Sequence, residues 1–187
     1  RSTKTVKNMK ILKIIGIALL IIIAIPLVAA LFIEKEYAVK REIVINKPKQ
    51  EVFDYVKLIR NQDNFSKWAT MEKKKKKTYT GTDGTVGFVS AWESKMDEVG
   101  VGEQEIKAIT EGERIDFELR FIVPFEATES AYMTTESISE TQTKVVWGFN
   151  GHMDYPFNLM MLFIDFEEML GADLQMGLNN LKAEMEK

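Results

Sequence analysis

The sequence predicts an α+β protein: a curved seven-stranded antiparallel sheet around a long C-terminal helix, preceded by one transmembrane helix. Three observations predict it. Ile14 to Ile33 is a run of twenty residues without a charge. From Thr78 to Met153 apolar residues recur at a period of two, the signature of half-buried strands. From Pro156 to Lys187 they recur at three- and four-residue steps, the signature of one apolar helix face.

The N-terminal run comes first in the chain. At a rise of about 1.5 Å per residue it spans roughly 30 Å, the thickness of a bilayer's hydrocarbon core. A soluble core helix would carry a polar stripe, and this segment has none. Pro26 would break a soluble helix but is tolerated in a membrane helix. A cleaved signal peptide is the competing reading, because Val28-Ala29-Ala30 is an acceptable small-residue cleavage site. The apolar part of a signal peptide usually runs only ~7–15 residues, whereas this one continues through Leu31-Phe32-Ile33. Residues 14–33 therefore read as a retained signal anchor, and the absence of cysteine excludes a lipoprotein. Residues 1–13 form a basic flank (Arg1, Lys4, Lys7, Lys10, Lys13) without an acid. That flank favours a cytoplasmic N-terminus and a domain outside the cytoplasm. Met9-Lys10-Ile11 reads as a start, with residues 1–8 an upstream extension. Only Lys10 and Lys13 would then compete with Lys35, Lys40, Arg41, Lys47 and Lys49 beyond the run. Residues 34–37 are a linker, and 38–187 one domain.

Tyr37 to Asn46 alternates and is rich in β-branched residues, so it reads as the first strand. Pro48 opens a helix in which Val52, Phe53, Val56 and Ile59 hold one face, with Asn46 as its cap. Asn61 to Met71 reads as a second short helix carrying Phe65 and Trp68. Six strands follow at about 78–82, 85–95, 101–110, 113–122, 126–139 and 142–153. Turn signals at Asp83-Gly84, Gly100, Glu111-Gly112, Pro124 and Thr141-Gln142 separate them and suggest a meander. Pro156 to Lys187 then forms the long helix. Its apolar face runs through Phe163, Phe166, Leu170, Leu174, Gly177, Leu178, Leu181 and Met185.

Composition narrows the chemistry. Zero cysteines exclude disulfides, a cysteine nucleophile and thiolate metal sites, and a single histidine excludes histidine-rich metal sites. No metal and no cofactor are expected. Residues 34–187 hold 20 basic against 28 acidic groups. A surface that tracks phosphates needs a basic excess, so nucleic acid is not a partner.

Three elements then carry a resemblance. Ile43-Val44-Ile45-Asn46-Lys47-Pro48-Lys49-Gln50-Glu51-Val52-Phe53-Asp54-Tyr55-Val56 is an alternating strand followed by proline, a short spacer and Val-Phe. Asn64-Phe65-Ser66-Lys67-Trp68 follows, and Gly100-Val101-Gly102-Glu103 precedes Ile109-Thr110-Glu111-Gly112-Glu113-Arg114-Ile115. With these, residues 38–187 resemble the helix-grip fold of the SRPBCC (START-like, polyketide cyclase/dehydrase and lipid-transport) superfamily. The resemblance implies a hydrophobic cavity between sheet and helix, for a lipid or polycyclic ligand. It implies no catalytic residue, because no catalytic motif is shared across that superfamily.

The strand phases assign the cavity. Phe88, Trp92, Phe117, Leu119, Phe121, Met133, Trp147, Phe149 and Met153 share one face, opposite Phe163, Phe166, Leu170 and Leu174 of the helix. These residues are the candidate ligand cavity; plain core is the simpler reading of the same pattern. Six of the ten methionines lie in the last 35 residues, and methionine suits surfaces that accept variable apolar partners. Gly171 and Gly177 cost about 1 kcal/mol each relative to alanine within a helix, so they leave room for a ligand or for close sheet packing. The opposite strand face carries Asp116, Glu118, Arg120, Tyr132, Thr134, Glu136, Asn150 and His152.

Catalytic candidates are few. His152 falls in the polar phase and reads as a surface histidine. Glu103 and Glu105 share a strand face and read as a solvated rim. Gly100-Val101-Gly102 is a turn without a following helix, hence no phosphate loop. Lys73 to Lys77 reads as a solvated loop or a contact for anionic lipid headgroups. The functional expectation is a membrane-tethered binding module for a hydrophobic or lipid-like small molecule, with residues 14–33 in the membrane. The alternatives are a cyclase/dehydrase- or hydrolase-type enzyme in the same cavity, or a ligand-free protein-interaction module.

Overall fold

The computed structural model describes residues 2–72 and 74–187, with side chains from Met9 onward. Arg1, Lys73 and the side chains of Lys4 and Lys7 lie outside the described residues. The chain forms two compact units, Arg1–Glu36 with His152–Asp165, and Tyr37–Gly151 with Phe166–Lys187.

In the first unit, helix α1 (Ser2–Ala30) contains Pro26 without ending there. Its Met9–Ala30 stretch is long and apolar enough to cross a membrane, and is exposed along most of its length, with Ala30 buried at its end. After Ala30 the chain turns, with Leu31 N–H donating to Val28 O (3.1 Å) and Phe32 N–H to Ala29 O (3.0 Å). Residues 152–165 pack against this end. Met153 N–H donates to Lys35 O (2.7 Å), and a 3₁₀ turn covers Phe157–Leu162. Asn158, fully buried, donates from Nδ2 to Ala30 O (2.7 Å) and Ile33 O (3.0 Å).

The second unit holds the sheet. Strands β1 (Glu36–Ile45), β2 (Lys76–Thr80), β3 (Val89–Glu93), β4 (Val101–Thr110), β5 (Arg114–Val123), β6 (Ala127–Ser139) and β7 (Gln142–His152) lie in the order β1-β7-β6-β5-β4-β3-β2. The meander from β2 to β7 is therefore as expected, and β1 closes on the last strand. The connection from β1 to β2 carries three short helices, α2 (Lys49–Val56), α3 (Gln62–Phe65) and α4 (Lys67–Met71). The last helix, α5 (Phe166–Met185), packs on the same side and buries Leu174, Leu178 and Leu181.

Three expectations about elements are corrected. The long helix starts at Phe166, not Pro156. Asp165 stands where a helix cap is favoured, and Glu167 and Glu168 follow in the first turn, where acids complement the helix dipole. Asn46 does not cap α2. Its N–H donates to Glu186 Oε1 (2.6 Å) and its Oδ1 accepts from Gln142 Nε2 (2.8 Å), so it ties β1 to the end of α5. The single helix expected over 61–71 is split, because Ser66 is extended between α3 and α4.

The interior has a solid end and an open end. Ile115, Phe117, Met133, Val145, Leu178 and Leu181 pack with Val52, Phe53 and Val56 of α2 into a continuous core. One turn earlier along α5, and two residues further along the strands, the packing opens.

Candidate functional site: an apolar cavity with a polar wall

The opening is a cavity of about 260 Å³ within the second unit. Its apolar wall comes from three directions. Trp92, Leu119, Phe121, Ala131, Trp147 and Phe149 project from the concave sheet face, and Leu170 and Leu174 from α5. Ile59 and Trp68 close the side formed by the short helices. Aromatic contacts fix this wall: Trp92 meets Phe121 edge-on at 6.3 Å, and Trp147 meets Phe65 at 5.6 Å and Trp68 at 6.4 Å. Trp92 Nε1 donates to Val99 O (3.0 Å), which sets the indole's orientation.

Two glycines make the wall possible. A Cβ on Gly102 would stand 2.7 Å from Trp92 Cζ2, and one on Gly177 would stand 2.7 Å from Trp147 Cζ3. Both indoles come close to backbone that has no side chain. Gly171 approaches the Arg41 guanidinium rather than the cavity. Close packing, not free space, therefore accounts for both helix glycines.

Seven of the thirteen residues expected at the cavity line it: Trp92, Leu119, Phe121, Trp147, Phe149, Leu170 and Leu174. Six lie elsewhere. Phe117 and Met133 belong to the solid core, and Phe88 is buried against Tyr79, with ring centres 6.1 Å apart. Phe166 stacks on Tyr37 at 4.8 Å. Met153 and Phe163 fall in the first unit, Phe163 being 85% exposed. Strand phase places a residue on a face, but cannot say at which height along the strand the core gives way to space. Phe163 was misplaced for a different reason: it precedes the true start of α5.

The polar part of the wall was not expected. Gln62, Ser66, Ser90 and Gln104 are all buried at the cavity. Ser90 and Gln104 are register partners across β3 and β4, so they form one polar rung on an otherwise apolar face. The Gln62 side-chain nitrogen is buried with no hydrogen-bond partner, a state that ordinarily costs about 1–3 kcal/mol. A signal did exist: Ser90 and Gln104 interrupt the apolar alternation in phase with Trp92 and Ile106.

The lysine run contributes as well. Its described members alternate: Lys76 points out and pairs with Glu93 at 2.8 Å, while Lys75 and Lys77 line the cavity. Lys75 Nζ donates to Ala69 O (2.7 Å), Glu72 O (3.1 Å) and Trp68 O (3.3 Å), closing the carbonyl end of α4. Lys77 is paired with Asp63. Burial pushes both ammonium groups below the usual lysine range. Lys75 and Lys77 are therefore part of one cavity wall, where a solvated loop was expected, while Lys74 and Lys76 stay exposed.

His152 Nε2 lies 3.2 Å from Asp154 Oδ1 and is exposed; it does not line the cavity. Glu103 and Glu105 are on the convex face and are not simply solvated. Arg120 Nε donates to Glu103 Oε1 (2.6 Å) and Nη1 to Glu105 Oε2 (2.7 Å), and Arg120 pairs with Glu118 as well. The Arg120 hydrogen bond, aided by Lys107, holds the Glu105 carboxyl below the usual range.

Arg120→Leu leaves three carboxylates on neighbouring strands without their shared partner. It is expected to lower stability by about 1–2 kcal/mol at neutral pH, a modest value because the cluster is partly solvated. The sign with pH follows from the depressed folded-state value. The contribution is complete above the unfolded carboxyl range, about pH 4.3, and is lost as pH falls through the lower folded value. The gap between wild type and variant in urea midpoint should shrink between pH 7 and pH 3. A gap of equal size at both pH values would show that charge is not its cause.

Comparison with known proteins agrees with this geometry. A family model described as polyketide cyclase / dehydrase and lipid transport matches residues 37–186. No curated protein matches the sequence. Among solved structures, a protein from Nitrosospira multiformis is 18% identical, with 80% of this chain and 96% of that one covered and a TM-score of 0.56. A protein from Chromobacterium violaceum is 15% identical, covering 80% and 97%, with a TM-score of 0.56. The Aha1 dimer from Colwellia psychrerythraea is 12% identical, covering 80% and 96%, also at 0.56. At these identities the likeness is one of fold.

Proposed function

Because the chain belongs to the polyketide cyclase/dehydrase and lipid-transport family, we propose that it is a membrane-tethered module that binds a hydrophobic or lipid-like small molecule. The observation that carries this reading is the cavity of about 260 Å³ and its aromatic wall. The cavity stands just below the common range of ligand sites, which starts at about 300 Å³, so it suits a small ligand; like those sites it is mostly apolar, with a few polar groups to orient what it holds. The Ser90–Gln104 rung and Gln62 are such groups. The donors on this wall favour a ligand whose apolar body ends in an oxygen acceptor. None of the catalytic candidates read from the sequence reaches the cavity: His152 does not line it, and Glu103 and Glu105 are committed to Arg120 on the other face. Helix α1 supplies the tether, and the basic residues Lys10 and Lys13 ahead of its apolar run favour a domain outside the cytoplasm.

Native mass spectrometry of the full chain, released from detergent micelles, tests the proposal. The expected result is a bound small-molecule adduct on the purified chain, exchanged by added decanoate. A chain that carries no adduct and takes up no decanoate would overturn the binding reading. It would leave the protein-interaction alternative in its place.

A further inference from the structure

The first unit exposes an apolar surface that the ligand cavity does not explain. Phe157, Met160, Leu162 and Phe163 stand exposed on residues 157–163, and Leu31 and Phe32 stand exposed just beyond α1. Phe32 and Phe163 are each 85% exposed. A soluble surface rarely concentrates large apolar side chains in this way. Their position relative to α1 is fixed by a hydrogen-bonded contact. Asn158 is fully buried and donates to the carbonyls of Ala30 and Ile33. Met153 N–H is bonded to Lys35 O.

These facts set a height. The uncharged part of α1, from Ile14 to Ala30, gives about 26 Å of helix, so with Lys10 and Lys13 at one headgroup level Ala30 stands close to the other edge of the hydrocarbon core. The six residues of the 3₁₀ turn rise about 12 Å in all, so every one of them stays near that edge. Asn158 also answers a chemical need there. A helix leaves its last carbonyls unpaired, and at the edge of lipid there is little water to satisfy them. Its side-chain amide fills that role for Ala30. The exposed charged residues Glu34 and Lys35 follow the end of α1 in sequence, and the exposed Asp154 precedes the 3₁₀ turn.

We propose that residues 153–163 form a collar seated in the membrane interface, with Phe157, Met160, Leu162 and Phe163 dipping between lipid headgroups beside Leu31 and Phe32. The occupant of this apolar surface is the bilayer. The collar rests on the reading of α1 as a retained anchor. It also gives that anchor a structural reason to be retained, because cleavage after Ala30 would take away the carbonyl that Asn158 holds. Aromatic side chains at the headgroup level are the usual anchors of such surfaces.

The chain has no native cysteine, so single-cysteine variants report one site each. Phe157→Cys and Phe163→Cys of the full chain, labelled with an NBD fluorophore, are reconstituted into phosphatidylcholine vesicles. The vesicles carry a nitroxide near the top of the acyl chain. Leu20→Cys, within α1, and Glu140→Cys, exposed in the β6–β7 turn, are the references. Both collar sites are exposed, so the substitutions leave the packed core untouched. The expected result is quenching at both collar sites several-fold above that at Glu140→Cys, with Leu20→Cys also quenched. Quenching at Leu20→Cys alone would overturn the collar and leave the anchor standing. No quenching at Leu20→Cys would overturn the anchor and the collar together. Collar labels shielded from water in proportion to protein density, but not quenched by lipid, would show a second copy as the occupant and overturn the proposal.

Discussion

Leu178→Asp is expected to unfold the sheet domain. Leu178 is fully buried at the solid end of the interior, on the face that α5 turns to the sheet. The change removes an apolar side chain whose burial is worth roughly 1.5–3 kcal/mol. It also leaves a carboxylate with no partner in an apolar setting, which costs several kcal/mol more. The total rivals the whole stability of an ordinary domain, about 5–15 kcal/mol. Leu174→Asp is expected to cost less, because Leu174 borders the cavity and water can enter to meet the charge. Met176→Gln, half exposed on the other side of α5, should change little. Tryptophan fluorescence during urea unfolding ranks the three variants. Equal midpoints for Leu178→Asp and Met176→Gln would show that the buried face of α5 is misassigned.

Ala131→Phe is expected to abolish ligand uptake while preserving the fold. Ala131 is the small residue in the middle of the cavity's sheet wall, on β6, opposite Phe149 in the register. A phenyl ring there would extend into existing space, so the usual penalty for overpacking is reduced and thermal stability should hold or rise. The same ring would occupy the volume a ligand needs. Affinity for decanoate should fall at least tenfold, about 1.4 kcal/mol, as read from adduct occupancy in native mass spectrometry. Unchanged occupancy with an unchanged melting temperature would place the ligand somewhere other than this cavity. A lowered melting temperature would show instead that the wall has no spare room at Ala131.

Much of the fold was legible before any coordinates. Strands betray themselves by a period of two and α5 by steps of three and four, because each must bury one face. Those periods located all seven strands and the C-terminal helix. They also placed Trp92, Leu119, Phe121, Trp147 and Phe149 together on the concave face. Boundaries were harder. Phe163 continues the apolar spacing of α5 by coincidence, while Asp165 and the two glutamates after Phe166 mark the real start. The polar rung of Ser90 and Gln104 was visible as a break in alternation, but a break gains meaning only when register brings two of them side by side.

The sequence by itself determined the elements and their faces, the long uncharged helix at the N-terminus, and the absence of cysteine and of histidine clusters. All of these are local: they depend on residue types and spacings along a few turns or one strand. Only the tertiary structure decided where the interior is solid and where it is hollow. At the hollow end Trp147 approaches Gly177 and Trp92 approaches Gly102. It also decided that Lys75 and Lys77 turn inward, that Arg120 gathers three glutamates, and that Asn158 holds the end of α1 across more than 120 residues of sequence. Each of these is a contact between positions far apart in the chain. The spacing of residues within one segment carries no information about which distant segment will face it.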